Sequence, residues 1–274
     1  MSRGPHLRPR RSRRRGTLLA MAANETAESA PTTSAGAARV PAAPAVQHEW
    51  LRRVEAEYRS AAVTQHLVLW LLQAAVSPDL VALGLRIVRD ELAHARLSHR
   101  VYLAAGGRGG PTLVRESLGL RRDEQAPLEH DILRHGVEIY CLGETVAVPL
   151  FAEIRRPCTV PSARRALDRI LRDEVRHREF GWTLLGYMLE QPLGDALRTL
   201  LVKELPGMFQ RLRRSYGISL PNAPRELPAE DRAWGLMPAG LYGDILEKTV
   251  SRDYVPRFAK VGIDARAAWD ALGR

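Results

Sequence analysis

From Trp50 onward, apolar side chains recur at helical rather than strand spacing. Leu51, Val54, Tyr58, Ala61 and Ala62 begin a stripe of 3.6-residue period that runs to about Ala75. Ser77-Pro78-Asp79 interrupts it, and Pro78 suits the first turn of a second helix running to Ala105. Gly106, Gly107, Gly109, Gly110 and Pro111 stop that helix, and residues 111–127 read as a long polar connection. A third helix is expected over about Leu128 to Arg156, ahead of Pro157, and a fourth from about Pro161 to Gln191, ahead of Pro192. Further helical segments are expected at about 194–215 and 229–250, on either side of the Pro-rich stretch 221–228. Scarcely any region alternates with period two, so the expected class is all-α. The connectivity is two helical hairpins joined by a long crossover, with additional C-terminal helices.

Composition bounds this picture. A length of 274 residues, 45% of them hydrophobic, is enough for a sizeable core, and no apolar run reaches the roughly 18 residues of a membrane span. The formal charge of +10 arises mostly at one end. Residues 1–20 hold Arg3, Arg8, Arg10, Arg11, Arg13, Arg14 and Arg15 and no acid; setting those seven aside from 41 leaves 34 basic residues against 31 acidic ones. A nearly balanced domain gives little ground for a nucleic-acid partner. With its Ala, Pro, Ser and Thr continuation, the segment 1–44 is expected to be a disordered tail, with 45–191 the helical bundle and 192–274 a helical extension packing on it. The tail is read either as a basic arm or as sequence upstream of a true start at Met21; its apolar run from Leu18 to Ala23 is short for an export signal. Three Lys beside 38 Arg point to genome base composition. Cys141 and Cys158 are too few for a disulfide scaffold or a four-cysteine metal site, and a cytoplasmic protein is expected.

The chemistry lies in an internal repeat. Residues 87–98 read IVRDELAHARLS and residues 170–181 read ILRDEVRHREFG, and each carries Glu-x-x-His: Glu91 with His94, Glu174 with His177. At i and i+3 both side chains leave one face of a helix and can reach one metal. Pro78 and Pro161 each stand 13 residues before the glutamate, which places the two pairs at equal heights above their helix starts. With 19 Glu and 8 His in the chain, roughly half a Glu-x-x-His match is expected by chance, so one pair would be weak evidence and a repeated pair is not. The apolar neighbours Ile87, Leu92, Leu97, Ile170, Val175 and Phe180 make these core helices, where unpartnered carboxylates would be very costly without a cation.

A bundle site also needs a carboxylate from each of the other two helices. Glu144, within an apolar stretch, is the candidate on the third helix, with Glu138 and Glu153 read as surface residues. On the first helix the choice lies between Glu55 and Glu57, and Glu57 is preferred, 34 residues before Glu91; Glu144 stands only 30 before Glu174. Ser98 and Gly181, each seven residues past its glutamate, either leave room beside a metal or allow close helix packing. Pro149 frees the carbonyl of Thr145, beside Glu144. Cys141 reads as a buried small hydrophobe, and Tyr58, Tyr102 and Tyr187 are not distinguishable from core aromatics.

Taken together, Glu57-x-x-Ser60, Ser77-Pro78-Asp79-Leu80, Asp90-Glu91-x-x-His94, Gly143-Glu144-Thr145 and Asp173-Glu174-x-Arg176-His177 resemble the ferritin-like di-iron carboxylate superfamily. More closely, they resemble the bacterial ferritin-like domain proteins, over about residues 50–190. The resemblance implies a ferritin-like four-helix bundle with Glu57, Glu91, His94, Glu144, Glu174 and His177 as ligands of two irons, and Asp90 and Asp173 as acceptors for the ligand imidazoles. An oxygen-rich, anionic ligand set suits iron, with manganese as the other candidate. The implied activity is an oxygen-dependent oxidoreductase that hydroxylates, N-oxygenates, desaturates or oxidatively cleaves a small organic substrate, with an electron-donor protein and a homodimer as further expectations. Ferroxidase or iron-storage chemistry is the first alternative. A non-enzymatic helical interaction protein with a structural metal is the second; there, Glu91→Ala or His177→Ala would lower the melting temperature without abolishing a turnover. Hydroxylation of tRNA, which some relatives perform, gains little from the charge distribution.

Overall fold

The computed structural model describes residues 16–17, 42–216 and 223–273. Most of the segment 1–44 therefore lies outside the described residues, and so does the expectation of disorder there. Gly16–Thr17 pairs antiparallel with Thr112–Leu113, and everything else of regular structure among the described residues is helical. Helix α1 is Pro44–Gln73, α2 Pro78–Ala104 and α5 Pro161–Glu190. Each opens on a proline, whose missing N–H costs nothing in a first turn and whose fixed φ starts the helix. Between α2 and α5 the chain forms α3 (Leu128–His135), a π-helical stretch Gly136–Glu144 and α4 (Thr145–Arg155), end to end.

The link from α1 to α2 closes with the paired hydrogen bonds of a Schellman ending: Ala75 N–H to Leu72 O (3.1 Å) and Val76 N–H to Leu71 O (2.9 Å). Ala75 takes φ +51° there, a conformation that favours glycine. At the end of α2 the same bonds recur with Gly106 at φ +90°, where the glycine cluster was expected to stop the helix. Four long helical runs thus surround a common interior: α1 packs along α2, α2 on α5, α5 on the π stretch and α4, and α3 returns to α1.

Beyond Glu190, α6 (Gly194–Ser215) packs on α3 and α5. The expected helix over 229–250 is not one element. It is α7 (Ala229–Ala233), a break, a 3₁₀ turn at Ala239–Leu241 and then α8 (Tyr242–Thr249). Gly235 at φ +81° turns the chain, and Pro238 precedes the restart. A π stretch Val250–Tyr254, α9 (Val255–Ala259), α10 (Ala265–Asp270) and a 3₁₀ turn Ala271–Gly273, none of them expected, follow in order. Phe209 of α6 packs its ring against Tyr254, Phe258 and Trp269, so the extension shares one continuous core with the four long runs. Among the described residues no helix is long and apolar enough to cross a membrane.

Candidate metal centre

Two helix-borne Glu–His pairs face each other in the interior. On α2, Glu91 and His94 share one face because i and i+3 do; on α5, Glu174 and His177 repeat the arrangement. Glu57 of α1 and Glu144, the last residue of the π stretch, come from the other two sides. The six residues fall into two overlapping groups whose candidate ligand atoms lie within 4.8 Å of one another: Glu57, Glu91, His94 and Glu174, and Glu91, Glu144 and His177.

Each imidazole presents Nδ1 to carboxylates. His94 Nδ1 lies 3.6 Å from Glu57, 3.6 Å from Glu91 and 3.8 Å from Glu174. His177 Nδ1 lies 3.3 Å from Glu91 and 3.5 Å from Glu174. None of these contacts has hydrogen-bond geometry, and Glu91 Oε2, Glu174 Oε2, His94 Nδ1 and His177 Nδ1 are buried with no hydrogen-bond partner. Four orphaned polar atoms around one centre are expensive in a protein interior, and a shared cation could serve as partner to all of them.

The outer nitrogens cross over between the repeats. His94 Nε2 is 3.1 Å from Asp173 of α5, and His177 Nε2 is 3.6 Å from Asp90 of α2. An Asp173 acceptor on His94 Nε2 would leave Nδ1 free as a ligand atom, while His177 Nε2 faces Asp90 without a hydrogen bond. Both aspartates are fastened in turn: Arg176 reaches Asp90 at 3.1 Å and Asp173 at 2.6 Å, and Arg169 bonds the same two.

The electrostatics of the metal-free cluster follow from burial and these contacts. Burial pushes the Glu57 carboxyl up to about 8. Burial, reinforced by the nearby Glu174 charge, also raises Glu144 well above the carboxylate range. For His94, burial opposes the charged form but the Asp173, Glu57 and Glu91 carboxylates outweigh it and push the imidazole up to about 12. His177 is raised in the same way by Asp90, Glu174 and Glu91. Glu91 goes the other way, since the two imidazolium rings overcome the cost of burying its charge. Glu57, Glu144 and the two imidazoles are thus all shifted toward their protonated forms.

A cavity of about 670 Å³ opens beside the cluster, touching Glu57, Glu91, Glu144 and Glu174. Leu150, Phe151 and Ile154 of α4 supply apolar wall, and Tyr216, Met237 and Tyr242 of the C-terminal extension complete it. The extension is tied down close by, with Trp50 Nε1–H donating to Trp234 O at 2.9 Å.

All six expected ligand residues come together in this cluster, and Asp90 and Asp173 stand behind its imidazoles. Glu55 does not join them; it accepts the Thr112 backbone N–H at 3.2 Å. Glu138 pairs with Arg211 and Glu153 with Arg156. Cys141 is buried in the apolar core, and burial raises its thiol. Gly181 is explained by packing: a Cβ there would lie 2.4 Å from Tyr140 Cβ and 2.9 Å from Cys141 N, so the glycine lets α5 approach the π stretch. Ser98 is buried with its hydroxyl unpaired. The sequence pattern did not single out Arg53, Arg169 or Tyr216, and Arg176 stood in a quoted motif without a role of its own. Arg169 and Arg176, four residues before and three after Asp173, were open to detection by helical spacing. No protein-family model, curated protein or solved structure matches the chain, so its functional reading rests on the geometry of this centre.

Proposed function

We propose that the chain is a ferritin-like di-iron carboxylate oxidoreductase that uses oxygen to oxidise a small organic substrate. The observation that carries the reading is the buried cluster itself: carboxylates and imidazoles from four helical runs, with orphaned ligand atoms converging on one centre and a cavity beside it. Glu57, Glu91, His94 and Glu174 would hold one ion, and Glu91, Glu144 and His177 the other. The oxygen-rich donor set fits iron, or manganese in its place. When bound, such a pair supplies the redox chemistry that no side chain of the cluster provides.

The chain's own residues do the rest. Asp90 and Asp173 orient the imidazoles and are locked by Arg169 and Arg176. Glu57 and Glu144 give up protons as cations enter. The apolar wall of Leu150, Phe151 and Ile154 holds an organic body against the cluster and excludes water. That wall favours an organic substrate over iron itself as the substrate. Electrons would come from a separate donor protein.

Anaerobic loading with ferrous iron, followed by mixing with oxygen, tests the reading. Oxygen uptake accompanied by a change in visible absorption is expected. An absorption spectrum that oxygen leaves unaltered, with no uptake, overturns it.

A further inference from the structure

We propose that the cavity takes an amphiphilic monocarboxylate, with Arg53 as the residue that receives its carboxylate. The inference deepens the reading above and rests on it only for which end of the molecule reacts.

Glu49, Arg53 and Glu57 stand at i, i+4 and i+8 along the face of α1 that lines the cavity. Arg53 is 6% exposed, an uncommon place for a guanidinium. It is held by three contacts. Its Nη2–H donates to Gly235 O at 2.7 Å, its Nε–H donates to Glu49 at 3.2 Å, and its Cζ lies 4.5 Å from the Trp50 ring centre. Nη1 is buried and has no partner. An unmet donor on a buried cation is costly, and other atoms of the same side chain stand in the lining of the cavity.

Charge points the same way. Glu49 is shared, since Arg52 also binds it through two bonds of 2.9 and 3.0 Å, so the two arginines and one carboxylate keep one net positive charge. Arg52 and Arg53 are the basic residues of the cavity lining. An anionic headgroup is therefore matched at this end, and a guanidinium offers the planar fork that a carboxylate fits. Four residues of helix separate Arg53 from Glu57, a rise of about 6 Å. A headgroup on Arg53 thus places the following carbons of the same molecule against the cluster, between walls formed by Leu150, Phe151 and Met237.

Calorimetric titration of the full chain with octanoate, octan-1-ol and octylammonium tests this, on both manganese-loaded and chelator-treated protein. Octanoate is expected to bind both forms at least ten-fold more tightly than the alcohol, with octylammonium weakest. Arg53→Gln should lose at least ten-fold in octanoate affinity in both forms while retaining wild-type metal content. Should Arg53→Gln not fold, Arg53→Lys decides: the octanoate-to-octanol ratio should fall several-fold, because an ammonium cannot reproduce the fork. Octanoate binding that disappears on chelation but survives both Arg53 substitutions would put the headgroup on the metal, overturning this proposal and leaving the metal reading intact. Octanoate binding no tighter than the alcohol also overturns it. A chain that binds no metal yet binds octanoate through Arg53 would uphold this proposal and end the metal reading.

Discussion

Glu91 belongs to both candidate ligand groups, whereas Glu57 belongs to one and Glu144 to the other. Substitutions at these positions should therefore differ in kind. Glu91→Ala is expected to abolish binding of both ions, while Glu57→Ala and Glu144→Ala should each leave about one ion per chain, read by elemental analysis after dialysis. Protonation gives a second handle. Glu57, raised by burial to about 8, and His94, raised to about 12, both stand above their unfolded values in the metal-free protein. The stability each contributes is therefore present at low pH and lost as pH rises, for Glu57 through about 8. Metal requires those groups deprotonated, so the rise in melting temperature produced by manganese should grow between about pH 6 and pH 8. A rise that shrinks over that range would contradict the assignment of the protons. Glu91–His94 and Glu174–His177 were legible in the sequence because each is a local i, i+3 pattern that occurs twice. Arg53 was not, because the contact that gives it meaning is with Gly235, 182 positions away.

At the scale of elements, the long helices were legible from periodicity and from the prolines that open them. The π stretch Gly136–Glu144 was not, since a change of hydrogen-bond register leaves the apolar pattern nearly unaltered. It matters because Glu144 closes it and Gly181 of α5 packs against it. Gly181→Ala must push Tyr140 and Cys141 away, and is expected to cost about 1–3 kcal/mol and to weaken metal binding together with stability. The opposite sign is expected at Ala75, which occupies the left-handed position of a Schellman ending. Ala75→Gly should raise stability by about 1 kcal/mol in denaturant unfolding, without altering metal content. The split of the expected 229–250 helix had visible signals in Gly235 and Pro238. Met237 in the break and Tyr242 at the start of α8 stand in the cavity wall.

Over the whole molecule, the C-terminal extension couples to the cluster from outside. Tyr254 OH donates to Leu142 O at 2.6 Å, two residues from Glu144, and Tyr216 and Met237 roof the cavity over the carboxylates. One core runs through both parts, so the cluster sits on the long helical runs while the extension closes the cavity beside it. The formal charge of +10 describes the surface and the N-terminal arginines; the interior is organised around four carboxylates that need compensation. Protons on Glu57, Glu144 and the imidazoles are favoured by that need, and bound cations would displace them. The direct test is an anaerobic titration of the purified full-length chain with ferrous iron, with bound iron measured after removal of excess. Two irons per chain, falling to none in Glu91→Ala, is the predicted result; fewer than one iron per two chains, or equal binding by the variant, would contradict the account.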